Sequence, residues 1–142
     1  VPADWELIGQ VRHLRDMHGT DTLVVGNGDV ISYEHALQLA GKYNLDGIMI
    51  GRGIFADPKV FMERSDWQYV GRQQRIALYK KQVQMFNVMW GRGERNIKTL
   101  NKFCKVYING FDGARELRDK LMNASSTTEL ISLLTAAENR RD

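Results

Sequence analysis

Residues 22–53 read "TLVVGNGDVISYEHALQLAGKYNLDGIMIGRG", and their pattern decides the fold. Two short apolar runs, 22–26 and 47–50, are rich in β-branched residues and too short for helices, so each predicts a buried strand. Between them Ser32 stands as an N-cap, and Ala36, Leu37 and Ala40 line one side of a helix reaching Lys42. Two strands joined by a helical crossover run parallel and need helices over their faces. Each strand ends in a glycine loop, "GNGD" at 26–29 and "GRG" at 51–53.

Upstream, Trp5, Ile8, Val11 and Leu14 recur at helical spacing, which predicts a helix from Asp4 to Met17 closed by His18-Gly19. Downstream the alternation of strand and helix stops. Asp57-Pro58 predicts a helix start, with Asp57 as N-cap and Pro58 in the first turn. A long helix over 70–89 carries a seam of Ile76, Tyr79, Val83, Phe86 and Trp90. Further helices are expected over 94–108 and 114–122. A last one follows the capping box Ser126-x-x-Glu129, with Leu130, Leu133, Leu134 and Ala137 inward.

The expected fold class is therefore α/β plus all-α. Residues 1–62 form a partial (β/α)8 barrel domain with two parallel strands, and residues 63–142 form a four-helix bundle-like domain. Two parallel strands are too few for a self-sufficient sheet. The chain thus reads as the C-terminal part of a larger barrel. Its exposed edges should bind the missing N-terminal barrel half or drive self-association.

Composition bounds the function. The chain has 142 residues, 43% hydrophobic and 26% charged, as in a soluble globular protein. No apolar run is long enough to span a bilayer, so no membrane partner is expected, and the lone cysteine, Cys104, excludes an internal disulfide. A cytoplasmic location is expected. The net charge of +3 hides an uneven distribution. Residues 71–105 carry nine Lys/Arg against one acid, Glu94, whereas the flanking parts are mildly acidic. A basic section of this kind suits a polyanion, or is simply a solvated face.

Within it, Ile97, Leu100, Cys104 and Tyr107 step by helical intervals, and Arg95, Lys98, Lys102 and Lys105 step identically two residues earlier. At about 100° per residue, that offset places the cations opposite the apolar row. A row of one sign suits a phosphate backbone. Arg92, Arg95, Lys98, Lys102 and Lys105 are the candidate RNA-binding residues, with Lys80 and Lys81 as possible extensions.

At the strand ends, Gly26, Gly28, Gly51 and Gly53 let backbone approach an anion, and Arg52 can donate a bidentate pair to phosphate. Asn27 can fix the turn or reach a ligand. Asp29 suits backbone N–H groups better than an anion. The alternative is that these glycines merely make turns.

"VVGNGDVISYEHALQL" followed by "LDGIMIGRGIFADPKVF" resembles the last two barrel units of the tRNA-dihydrouridine synthases. "LNKFCKVYINGFDGARELRDKLMNASSTTELISLL" is similar, more loosely, to that family's helical domain. Phe103, Val106 and Asn109 depart from the family's histidine, tryptophan and lysine there. The resemblance implies an FMN-binding barrel and a C-terminal helical tRNA-binding domain. Asn27, Gly28, Asp29, Gly51 and Arg52 would hold the FMN phosphate. It also implies tRNA as partner and NAD(P)H as reductant, with uridine reduced to dihydrouridine.

The family's catalytic cysteine lies on an earlier loop. No catalytic residue is therefore expected in this chain, which should be inactive alone. Cys104 reads as a packing residue. His13, His18 and His35 show no metal spacing. Two rival readings are another FMN-binding barrel oxidoreductase acting on a small molecule, and a non-catalytic RNA-binding module.

Overall fold

Helix α1 (Trp5–Met17) starts where the Asp4 carboxylate accepts the Leu7 N–H at 3.0 Å. The computed structural model describes residues 1–140. Strands β1 (Val25–Asn27) and β2 (Gly47–Met49) pair in parallel, with Gly26 opposite Ile48, as a two-stranded sheet. Helix α2 (Tyr33–Lys42) connects them, and its Ser32 cap accepts the His35 N–H at 3.0 Å. Trp5 lies so close over β1 that a Cβ at residue 26 would sit 2.6 Å from its indole. Trp5 also stacks on Tyr43, with ring centroids 6.1 Å apart, which ties α1 to the end of α2. After β2, Gly53–Ala56 forms the single-turn helix α3.

Two expectations fail in this unit. The first strand begins at Val25 rather than at Thr22. Thr22 offers its carbonyl to Arg15 at 2.5 Å, and Val24 donates its N–H to Asp46 at 2.8 Å. These groups are held by side chains instead of a neighbouring strand. Nor does Asp57 start a helix: it ends α3. Its carboxylate accepts the Lys59 N–H at 2.7 Å and its carbonyl the Val60 N–H at 3.1 Å, so residues 57–60 form a turn.

The chain divides into two compact units, Val1–Gln68 and a second beginning at Tyr69. The second unit contains α4 (Arg72–Trp90), a 3-10 turn at Ile97–Leu100, α5 (Asn101–Tyr107), α6 (Ala114–Asn123) and α7 (Thr127–Glu138). Ile76, Tyr79 and Val83 of α4 meet Leu100, Cys104, Ile108, Leu121, Leu130 and Leu134 in one buried cluster. Fully burying a side chain of this size contributes about 1.5–3 kcal/mol, so this cluster dominates the unit's stability. The buried Tyr79 hydroxyl donates to the Leu100 carbonyl at 3.2 Å.

The helix expected over 94–108 is interrupted. Asn96 accepts the Lys98 N–H at 2.8 Å and opens only the 3-10 turn, so α5 begins at Asn101. Residues 91–94 are a turn, with Gly93 at φ 93°. At α7, Ser126 accepts the Glu129 N–H at 3.1 Å as expected. The Glu129 carboxylate returns to the N–H of Ser125 at 2.8 Å, one residue before the cap. Among the described residues no helix is long and apolar enough to cross a membrane.

Candidate functional site

The loops after β1 and β2 converge on one cavity of about 410 Å³, lined by residues 27–31, 51–53 and Ala56. Parallel pairing brings them together, because it puts both C-terminal strand ends on the same side. All five strand-end residues expected to hold a phosphate, Asn27, Gly28, Asp29, Gly51 and Arg52, line it. Gly28 has φ 140°, a conformation L side chains avoid, so the first loop requires glycine there. Gly53 is needed for space: a Cβ would lie 2.6 Å from the Val30 carbonyl oxygen.

Gly51 differs from these two. The atom nearest to its hypothetical Cβ is Asn27 Oδ1, at 3.9 Å, so the cavity is open above it. Asp29 occupies the left-handed region, φ 51°, and its two carboxylate oxygens are divided. Oδ2 accepts the Ala3 N–H at 2.9 Å, and Oδ1 accepts Arg52 Nη2 at 2.8 Å. The Ala3 N–H holds the Asp29 carboxyl below the usual carboxylate range, and Arg52 adds to the effect. The Arg52 side chain is 87% exposed, so the guanidinium keeps donors beyond the one given to Asp29. An open glycine floor beside an oriented cation makes a donor set that fits a phosphate monoester.

The nine cations of residues 71–105, four of them expected in one row, have different partners. Arg72 donates to the carbonyls of Ala137 and Arg140, at 3.1 and 2.9 Å. Arg75, 8% exposed, donates to the Val70 carbonyl at 2.8 Å, and burial lowers its pKa. Lys80 pairs with Glu138. Lys98 donates to the Met122 carbonyl at 2.8 Å, stabilising the C-terminal end of α6. Lys80 and Lys98 are thus structural ties.

What remains is a cluster of another shape. Arg95 lies over the Trp90 ring at 4.6 Å, and Lys102 over the Phe103 ring at 5.0 Å. With Lys81 they rim a groove of about 510 Å³ between α4 and α5. Arg92 and Lys105 are exposed. The apolar residues of this groove were not singled out in the sequence as functional. Met85 and Met89 give the available signal: two exposed apolar residues four apart, just off the buried seam of α4.

Cys104 is 1% exposed, and burial pushes its thiol up to about 11, so it cannot reach a substrate. Among the described residues no group of His, Cys, Asp or Glu is arranged to hold a metal. His13 and His18 are exposed, and His35 Nδ1 accepts the Ile31 N–H at 3.5 Å beside the strand-end loop.

The family described as dihydrouridine synthase matches residues 1–141. The chain is 39% identical over 142 residues to a protein of Staphylococcus epidermidis named "Probable tRNA-dihydrouridine synthase". It covers 100% of this chain and 43% of the relative. A Staphylococcus aureus protein of the same name gives the same identity and coverage. "Probable tRNA-dihydrouridine synthase 2" of Bacillus subtilis is 39% identical over 140 residues, which is 99% of this chain and 42% of the relative. The chain therefore spans less than half the length of the curated relatives it matches.

Proposed function

We propose that this chain, which belongs to the dihydrouridine synthase family, works in the reduction of uridine to 5,6-dihydrouridine in tRNA. Its first unit would form the strand-end face of a (β/α)8 barrel that holds FMN. Its second, a bundle-like helical domain, would dock the tRNA. FMN, reduced by NAD(P)H, would supply the hydride. The proton donor would come from outside these residues, because Cys104 is buried in the helical core. Residues 1–142 alone should then turn over no uridine, and a cytoplasmic location accords with a tRNA substrate.

The observation that carries this reading is the convergence of the two glycine loops on one cavity with Arg52 at its mouth. Gly51 and Arg52 would hold the phosphate. Asn27 and Gly28 would shape the floor, and Asp29 would keep the guanidinium aimed. A family whose relatives are named for tRNA gives the cations of the helical unit a substrate. Lys81, Arg92, Arg95, Lys102 and Lys105 would meet phosphates along the RNA backbone.

The test compares FMN with riboflavin, followed by flavin fluorescence. Charge-assisted bonds to a phosphate are strong, so Arg52→Ala should weaken FMN about tenfold or more and leave riboflavin unchanged. Equal loss for both ligands would remove the phosphate-clamp reading. The mixed polarity of the second unit's groove gives no support to a barrel oxidoreductase restricted to small molecules.

A further inference from the structure

The groove between α4 and α5 has a composition that phosphate contacts alone do not explain. Its rim holds Lys81, Arg95 and Lys102, and among the described residues no acidic one lines it. Its floor is apolar and flat-ringed, with Trp90 and Phe103 beside the methionines Met85 and Met89. Those methionines are 56% and 62% exposed and stand one turn apart on the groove side of α4.

Gln82 supplies a second observation. Its side chain lines the same groove, and its Oε1 is buried without a hydrogen-bond partner among the described residues. A buried amide oxygen without a donor is costly, by roughly 1–3 kcal/mol, and calls for an N–H to complete it. A flat ring with N–H groups on its edge, attached to an anion, matches the oxygen, the aromatic floor and the cationic rim together.

We infer that this groove is a stacking slot for one unpaired nucleobase of a bound RNA. The base would lie against Trp90 and Phe103, and the Gln82 side chain would turn its buried Oε1 outward to accept an edge N–H. Its flanking phosphates would lie against Arg95 and Lys102. The slot lies wholly within the helical unit, whereas the strand-end cavity belongs to the first unit. Duplex RNA cannot enter it, because a paired base has its edge occupied and its faces covered. The inference rests on the proposed tRNA reading and adds to it a contact that grips a single-stranded position.

The test uses the full 142-residue chain and three probes: unmodified tRNA, an oligouridylate of about ten nucleotides, and an abasic ribose-phosphate strand of equal length. The two short strands carry the same charge and differ only in bases. The base-bearing strand should bind about tenfold more tightly and quench the fluorescence of Trp90, assigned by its loss in Trp90→Phe. Met89→Glu should abolish that preference, and Gln82→Leu should reduce it several-fold without lowering the melting temperature. Because Met89 is exposed, its variant remains informative if Gln82→Leu fails to fold.

Equal affinity for the two strands, or a preference that survives Met89→Glu, would overturn the slot. If tRNA still bound with salt-sensitive affinity in that case, only the slot would fall. Absence of any RNA binding would overturn the slot together with the tRNA reading. Self-association of the chain that Met89→Glu dissolves, with no base preference, would assign the groove to a second copy and overturn the proposal.

Discussion

The two units use their apolar residues in opposite ways. In the helical unit, Ile76, Val83, Ile108 and Leu134 are completely buried, and four helices share one core. In the first unit, α1 and α2 contain no buried residue, while Leu7, Val11, Leu14, Leu37 and Met49 are exposed. There, polar groups join the Trp5–Tyr43 stack in holding the elements together. Arg12 pairs with Asp16 and Asp46, Arg15 with both, and Glu6 receives bonds from Lys42 and Tyr43. One unit is stabilised by burial, which acts through area. The other relies on partly solvated ion pairs, which contribute little individually.

The sharpest way to break this contrast is truncation on each side of it. Leu134→Ala should destabilise the helical unit by about 2–5 kcal/mol, whereas Leu37→Ala should cost less than about 0.5 kcal/mol. Thermal melts of both variants would decide, and equal losses would mean that α2 has buried contacts in solution.

Charge reversal gives the next largest effect. Lys105→Glu and Arg92→Glu should each weaken tRNA binding several-fold and flatten its salt dependence by about one unit of slope. Lys98→Met should act differently. It releases the Met122 carbonyl and lowers the melting temperature more than it changes the salt slope. A slope change as large as for Lys105→Glu would return Lys98 to the RNA surface.

Acid titration separates the units again, with a smaller effect. The Val24 N–H, assisted by Arg12 and Arg15, holds the Asp46 carboxyl below its ordinary value in the folded chain. The stabilisation is therefore present above the unfolded carboxylate value, near about 3.9, and is lost as pH falls through the lower folded value. The first unit should loosen before the helical unit on acidification, and Asp46→Asn should flatten that acid limb. Circular dichroism would follow it alongside the single Trp90 signal of a variant lacking Trp5 and Trp67. The smallest effect is that of Asp29→Asn. It should weaken FMN binding less than Arg52→Ala does, because Asp29 only orients the guanidinium.

The sequence by itself determined whatever depends on neighbours a few residues away. Ser32 and Ser126 both cap the helices they were expected to cap, because a cap needs only an N–H three residues on. The Ile76, Tyr79 and Val83 seam of α4 followed from periodicity, and the parallel strand–helix–strand unit from two short β-branched runs around a capped helix. Residues 22–24, 57 and 94–100 were misread where a local signal lost to other partners. Arg15 and Asp46 claimed the first strand's polar groups, and Asn96 restarted the chain as a 3-10 turn.

Tertiary structure decided the rest. Helical spacing put Lys98 in a cationic row, yet a carbonyl 24 residues away holds its ammonium group. The same spacing could not bring Gln82, Trp90 and Lys102 to one groove, which required α4 and α5 to pack. A backbone pattern fixes which face a side chain leaves from. A long flexible cation or an amide then takes the partner that packing supplies, and that partner is invisible until the chain has folded.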